Sequence, residues 1–321
     1  MAKIAVIALF LAAIVVLGGC LEQSEPKIET CTLNGCSIGG INNSAHDSNN
    51  IANAKPEDKN IAIEKSRGEI LLEKVAPSKG IILPVKWGDV LAKAAQAGAI
   101  DMNKYKTSLA RSGAKLRPEH EELILDGSDE NISFAPDNAY FNLNMLWALG
   151  LVNKNPILTK GKISEYGDKK AYFASTGGWT LGKKTGGELL WSAKIINLTP
   201  QQQKIVEEVS ANTYRPCCSN PTGFPDCNHA MAALALAELM ASQGATKGQI
   251  YDALLVANSY WFTRTYVNIA EYLAENRKDF SKVDSKELLG EKYSSQSGYR
   301  KIANSLKNIP EMQLGGSTCA N

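Results

Sequence analysis

Apolar positions first gather at the N-terminus, where Ile4 to Leu17 form fourteen consecutive residues without a polar side chain. From residue 21 to about 80 the pattern turns polar and aperiodic, as in 41–50 and 55–60. Such composition cannot bury enough apolar surface to offset the entropy of ordering a chain, so a flexible stalk over 20–79 is expected. The run Gly80 to Val85 then opens a folded domain spanning 80–321. Trp87 to Ala99 places Val90, Leu91, Ala94 and Ala97 on one helical stripe. Ala139 to Leu151 carries Phe141, Leu143, Met145, Leu146, Leu149 and Leu151, which predicts a buried helix. Thr199, Pro200 and Gln202 spell an N-cap, a first-turn proline and a capping box, opening a helix that runs to about Tyr214. Asn228 to Ser242 is rich in Ala and Leu with one carboxylate, Glu238; Gly244 ends it. Thr246 caps a further helix through Tyr260 and Trp261, with a continuation past Tyr266 to Glu275. Alternation typical of strands is scarce, and a short hairpin is expected only within 155–175. The fold class is therefore mainly α, with the 228–243 helix at its centre and a long glycine-containing loop over 153–187.

The first twenty residues carry an address. Lys3, the apolar run, and the small residues Gly18 and Gly19 before Cys20 have the layout of a secretory signal over 1–19. The run is shorter than the roughly 20 residues that a spanning helix needs. Small residues directly before Cys20 resemble the lipobox of prokaryotic lipoproteins, a family in which that cysteine becomes the first mature residue and carries the lipid. The resemblance implies a protein anchored through lipid at Cys20 on the outer face of the cytoplasmic membrane or in the periplasm. That compartment permits disulfides and is poor in nucleoside triphosphates.

Charge sharpens this picture. The 35 Lys and Arg nearly balance 33 Asp and Glu, a net +2, and removing Lys3 with residues 1–19 leaves +1. A near-neutral chain lacks the concentrated basic face that nucleic acid requires. Membrane contact then rests on lipid and not on a polybasic patch. Within 153–187, Gly177, Gly182 and Lys183 fit the spacing of a phosphate loop, but Lys184 stands where Ser or Thr belongs and no apolar strand precedes it. Nucleotide binding is not expected, and Trp179 is expected to pack this loop on the helical body.

The seven cysteines fall at 20, 31, 36, 217, 218, 227 and 319. Cys31 and Cys36 are spaced for a small disulfide loop in the stalk. The informative run is 214–229, where Cys217, Cys218, Cys227 and His229 are crowded by Pro216, Pro221 and Pro225. Asp226 is a candidate N-cap for the Ala-rich helix, which would set Cys227 in its first turn, where backbone N–H groups favour a thiolate. Arg215 adds to this if it points inward. Three chemistries fit. Three thiolates and an imidazole suit Zn²⁺ or Cu⁺. Thiol–disulfide exchange would use Cys227 as attacking thiol and Cys217 or Cys218 to resolve. A structural staple would join Cys227 to one neighbour and the other to Cys319. The soft-metal site is the leading reading, and a scaffold with disulfides or a redox protein are its alternatives.

The other two histidines, His46 in the stalk and His120 on a charged helical start, are expected to be exposed. No Gly-x-Ser-x-Gly or His-Glu-x-x-His motif is present. A Cys227–His229 nucleophilic pair is disfavoured by its i, i+2 spacing. No catalytic residue is assigned. Tyr260, Trp261, Phe262 and Tyr266 read as core, and Asn42, Asn131 and Asn197 head glycosylation sequons. The order of proline-flanked cysteines, Asp226-Cys227, apolar helix and second helix after Gly244 resembles the PCYCGC-motif lipoproteins. More distantly, it is similar to the thiol-oxidoreductase subunit of cytochrome c maturation. The likeness covers roughly 45 residues and lacks the Cys-x-Cys-x-Cys run of the first family and the Leu-Arg-Cys-x-x-Cys of the second. It implies an exported, anchored protein that handles metal or thiols, with Cys217, Cys218 and Cys227 as the matching positions. Cys-x-x-Cys-His is absent, so covalent haem is not expected.

Overall fold

Helix order begins earlier than the change in composition at residue 80. The computed structural model describes residues 65–312. Helix α1 (Arg67–Val75) opens on a capping box in which the Ser66 hydroxyl accepts from the Glu69 N–H and the Glu69 carboxylate accepts from the Ser66 N–H. Leu71 and Val75 are buried, and α1 packs on a later helix through which Arg67 pairs with buried Glu271 at 2.6 Å. The stalk expected over 20–79 therefore stops before residue 66 at the latest. Its last stretch is a short amphipathic helix whose local signal, Ser66-x-x-Glu69, lies within polar surroundings. The rest of the expected stalk, the expected leader over 1–19 and Cys20 lie outside the described residues.

Strand β1 (Ile81–Gly88) follows, alternating so that Leu83, Val85 and Trp87 are buried. Trp87 thus belongs to a strand, and helix α2 (Val90–Gln96) starts after it, burying Val90, Leu91 and Ala94. Helices α3 (Met102–Arg111) and α4 (Pro118–Asp126) lead into strand β2 (Ser128–Phe134). The two strands pair antiparallel with Ile81 opposite Phe134 and Gly88 opposite Ser128, with irregular register between. Gly127 bends the chain between α4 and β2: its φ is 83°, and a Cβ there would lie 2.4 Å from the Gly88 carbonyl oxygen. This is the sheet of the described residues, and the hairpin expected within 155–175 is not there. Lys162–Tyr172 instead winds in 3-10 turns broken at Gly167, where φ is 54°.

Helix α5 (Ala139–Val152) buries twelve of its fourteen residues, as its apolar sequence predicts. After α6 (Pro156–Thr159) and the 3-10 turns, the glycine-containing loop is held down by Trp179, whose indole N–H donates to the Ala99 carbonyl at 2.8 Å. Its ring meets Trp147 edge-on, with centroids 4.9 Å apart. Gly182 accepts from Lys104 Nζ, and the Lys183 N–H donates to Gly98, so the glycines that mimic a phosphate loop serve to dock this segment. Then come α7 (Gly186–Leu189) and α8 (Pro200–Ala211). The Thr199 capping box forms as predicted, but α8 ends three residues short of Tyr214, because the Tyr214 N–H donates to the Leu289 carbonyl instead.

Helix α9 (Asn228–Ser242) buries thirteen of fifteen residues and packs against α5, α8 and α10 (Lys247–Trp261). Its crossing with α5 is close: a Cβ on Gly150 would lie 2.3 Å from the Met231 carbonyl oxygen. The helix expected to continue through Tyr266 divides at Phe262, whose φ of −127° and ψ of 47° are not helical, and α11 (Thr263–Glu275) follows. The break lets the Phe262 ring turn inward, where it is buried against His229. Short helices α12 (Ser285–Leu289) and α13 (Glu291–Ser294) and the longer α14 (Gln296–Ser305) complete a mainly helical unit. Among the described residues no helix is long and apolar enough to cross a membrane.

The single carboxylate of α9, Glu238, is buried and accepts from Asn153 Nδ2 at 2.5 Å. Asn153 Oδ1 in turn accepts from the Ile195 and Ile196 N–H groups, which ties the end of α5 to the segment before α8. Burial pushes the Glu238 carboxyl up to about 8, only partly offset by Asn153. Between the ordinary carboxyl range and pH 8 the unfolded chain sheds this proton while the folded chain keeps it, so stability falls as pH rises. Glu238→Gln is expected to match the wild type near pH 4 and to exceed it at pH 8 by on the order of 3 kcal/mol. Urea unfolding of both proteins across that range checks this, and parallel stability profiles would rule it out.

Candidate metal centre

The loop between α8 and α9 is fixed from three directions. Its start is held by the Tyr214 N–H on Leu289, and its middle by the Thr222 and Gly223 N–H groups on Thr213 and Ser210. Phe224 packs against Phe173 and Tyr166, with ring centroids 5.6 Å away in each case. On the far side the Gln296 N–H donates to the Cys218 carbonyl, and the Ser297 N–H to the Ser219 hydroxyl, so α14 begins against the cysteine pair.

Inside the loop sits Arg215, with its side chain 1% exposed. Its guanidinium donates to the Asn220 carbonyl at 2.6 Å, to the Phe224 carbonyl at 3.5 Å, to Asp226 Oδ1 and to Cys227 Sγ at 3.2 Å. The inward orientation on which the sequence argument depended is therefore realised. The other Asp226 oxygen accepts from Asn220 Nδ2 at 2.7 Å. Asp226 is consequently not the N-cap of α9. That position belongs to Cys227, at φ −122° and ψ 163°, whose side chain makes no capping hydrogen bond. Cys227 is the cap residue and not part of the first turn, because the carboxylate that would have capped the helix is drawn to the guanidinium.

The sulfurs of Cys217, Cys218 and Cys227 lie within 4.8 Å of one another, a cluster that could hold a metal ion. Cys217 and Cys227 approach to 3.4 Å, and Cys218 Sγ lies 3.7 Å from Asp226 Oδ1. All three thiols are partly buried and free, so the staple between Cys227 and a neighbour is not formed. Cys31, Cys36 and Cys319 lie outside the described residues, as does His46. Adjacent cysteines ordinarily point apart, but here both reach the same centre, the loop around them being held by Arg215.

His229 is placed differently from the expected fourth ligand. It is buried near the start of α9, with its ring 4.4 Å from Phe262 and 5.8 Å from Trp261. Among the described residues the set of mutually close ligand atoms closes at three sulfurs and does not include it. Its influence is electrostatic: it favours the ionised form of Cys227 and adds to the lowering of that thiol. His120, expected to be exposed, is half-buried and stacked on Phe141 at 3.7 Å, with Arg117 Nη2 2.9 Å from its Nε2. Burial and the Arg117 charge push it down to about 4, so it is neutral at physiological pH.

The three thiols divide their protons unequally. Hydrogen bonds from Cys217 and Cys218 hold Cys227 well below the usual thiol range, with His229 and Arg215 adding and burial opposing. Cys217 is pushed up by its hydrogen bonds to Cys218 and Cys227 and by burial. For Cys218 the hydrogen bond with Cys217 acts downward, but the bond with Cys227 and burial prevail and raise it to about 11. The cluster thus sets one lowered thiol, Cys227, beside two raised ones and a guanidinium. Compared with models of known protein families, with curated proteins and with solved structures, the chain matches none.

Asn220 and the start of α14 escaped sequence reasoning, since their contribution runs through backbone groups and long-range contacts that have no local signature. Arg215 carries the geometry of the whole loop. Arg215→Met retains the apolar stem but strands a carboxylate, a thiolate and two carbonyl oxygens. It is expected to cost on the order of 3–5 kcal/mol in chemical denaturation, as removal of one partner from a buried ion pair does. A loss below about 1 kcal/mol, typical of an exposed pair, would show that the loop does not hang on this side chain.

Proposed function

We propose that this protein binds one soft transition metal ion, zinc or copper, through the thiolates of Cys217, Cys218 and Cys227. The observation that carries this is the convergence of three free sulfurs within 4.8 Å in a loop fixed by buried Arg215. Sulfur donors select soft or borderline ions over magnesium or calcium, which take oxygen. His229, expected in the ligand set, acts from behind: it orients and stabilises Cys227, as partners outside the coordination sphere commonly do. The protein does this outside the cytoplasmic membrane, anchored through lipid at Cys20. That part of the proposal is supported by Lys3, the apolar run 4–17 and Gly18-Gly19-Cys20. The resemblance of roughly 45 residues around the cysteine cluster to exported lipoproteins that handle metal or thiols points the same way.

The 3.4 Å approach of Cys217 and Cys227 favours one second reading, a redox dithiol. In it the Cys227 thiolate attacks a partner's disulfide, Cys217 displaces the partner from the mixed disulfide, and the partner leaves as a dithiol. The two readings part over what the reduced protein does with metal and no oxidant.

At neutral pH two of the three ligands still carry protons, so uptake must expel them. Titration of the reduced full-length protein with Zn²⁺ in weakly buffered solution is expected to show one ion bound with release of about two protons. Apparent affinity should climb as pH rises from 6 toward 9. The triple variant Cys217→Ser, Cys218→Ser, Cys227→Ser should bind nothing. Absence of saturable uptake of Zn²⁺ or Cu⁺ by the wild type would defeat the metal reading. Formation of a Cys217–Cys227 disulfide on mixing with an oxidised small dithiol, without metal uptake, would establish the redox one.

A further inference from the structure

We infer that the ion for which this site is built is monovalent copper, held by three sulfurs in trigonal coordination. The inference rests on the reading of the cluster as a metal centre and narrows it by donor number. A structural zinc site takes four protein ligands in a tetrahedron, whereas a soft monovalent copper ion is satisfied by three thiolates. Among the described residues the ligand atoms lying within 4.8 Å of one another are those of Cys217, Cys218 and Cys227.

The two residues that could supply a fourth donor are both engaged elsewhere. Asp226 lies beside Cys218, but one of its oxygens accepts from Arg215 and the other from Asn220 at 2.7 Å. Turning either oxygen to a metal would unpair the guanidinium, whose side chain is 1% exposed and has no water to replace that contact. His229 is packed against Phe262 at 4.4 Å and Trp261 at 5.8 Å, and its place on α9 is fixed by a helix buried on nearly every side. In that seat its ring nitrogens lie outside the set of mutually close ligand atoms.

The sulfur spacing admits a planar arrangement as readily as a tetrahedral one, so donor number decides between them. With metal–sulfur bonds of about 2.3 Å, three sulfurs around an ion in their own plane stand about 4.0 Å apart. The observed spacing runs from 3.4 Å for Cys217–Cys227 to no more than 4.8 Å for the set, so small rotations of the side chains suffice. Three thiolates on a single positive ion leave two negative charges. Two features oppose them: the Arg215 guanidinium, 3.2 Å from Cys227 Sγ, and the N-terminus of the fifteen-residue helix α9, which begins directly after Cys227.

The test uses the reduced full-length chain under anaerobic conditions, titrated separately with Cu⁺ and Zn²⁺ against chromogenic chelators of each ion. X-ray absorption is then recorded on both loaded forms. The expected result is one Cu⁺ per chain, retained against chelator that strips the zinc form. Its spectrum should show three sulfur scatterers at about 2.3 Å and no nitrogen. Cys218→Ser should lose the three-sulfur signature, whereas His229→Phe should keep it. The wild-type spectrum decides the matter if the His229 variant does not fold. A nitrogen scatterer, a two-sulfur linear site, or zinc held as tightly as copper would overturn the copper assignment and leave the metal centre standing. Failure to take up either ion would remove both readings.

Discussion

A helix with almost no polar face must be covered on every side, and that requirement on α9 shapes the rest of the molecule. Thirteen of its fifteen residues are buried, so α5, α8 and α10 are arranged around it. A helix buried in this way also begins in the interior, and the loop that feeds it cannot leave its polar groups to water. The unpaired N–H groups at the start of α9, the Asp226 carboxylate and the loop carbonyls all need partners in place. Arg215 meets the need of the acceptors among these, with donors fanned over Asn220, Phe224, Asp226 and Cys227. The cysteine centre is therefore a by-product of burying a helix end in one sense and its purpose in another. The same guanidinium that makes the buried loop tolerable turns three sulfurs toward one point.

The electrostatic consequence is a graded set of thiols. In isolation three neighbouring cysteines would compete on nearly equal terms. Here the hydrogen bonds run toward Cys227, which takes the negative charge nearest to Arg215, while Cys217 and Cys218 keep their protons. A metal ion, if bound here, would meet one ready ligand and two that must be deprotonated. Such an order favours stepwise capture, beginning at the deepest sulfur of a partly exposed trio.

What could be read from the sequence was what local chemistry encodes. The capping boxes at Thr199 and Thr246, the apolar stretch 139–151 and the Ala-rich run before Gly244 each became the helix that its pattern predicts. Trp179 sits where a lone aromatic in a glycine-containing loop should, against the helical body. The failures share a cause, which is that tertiary partners outbid local preference. Asp226 has the right position to cap α9, but a buried guanidinium is a stronger partner than a helix N–H. The pattern through Phe262 reads as continuous helix, and only the pocket around His229 explains the break. The Ser66–Glu69 box was hidden by the polar composition around it, and the β1–β2 pairing joins segments some forty residues apart. At the site, the density of cysteines pointed to a loop in which three sulfurs do converge. The histidine nearest in sequence lies outside that set of mutually close atoms.

The tie between the loop and α14 carries a consequence for how the centre comes into being. The Ser297 N–H reaches Ser219 across 78 residues, Gln296 holds the Cys218 carbonyl, and Leu289 holds Tyr214. Contacts so distant in sequence close late, since a long loop must lose its freedom before they form. A chain that has already released its cysteines cannot yet hold them in place, and only the arrival of its last helices does so. The finished pocket thus dates from the end of folding.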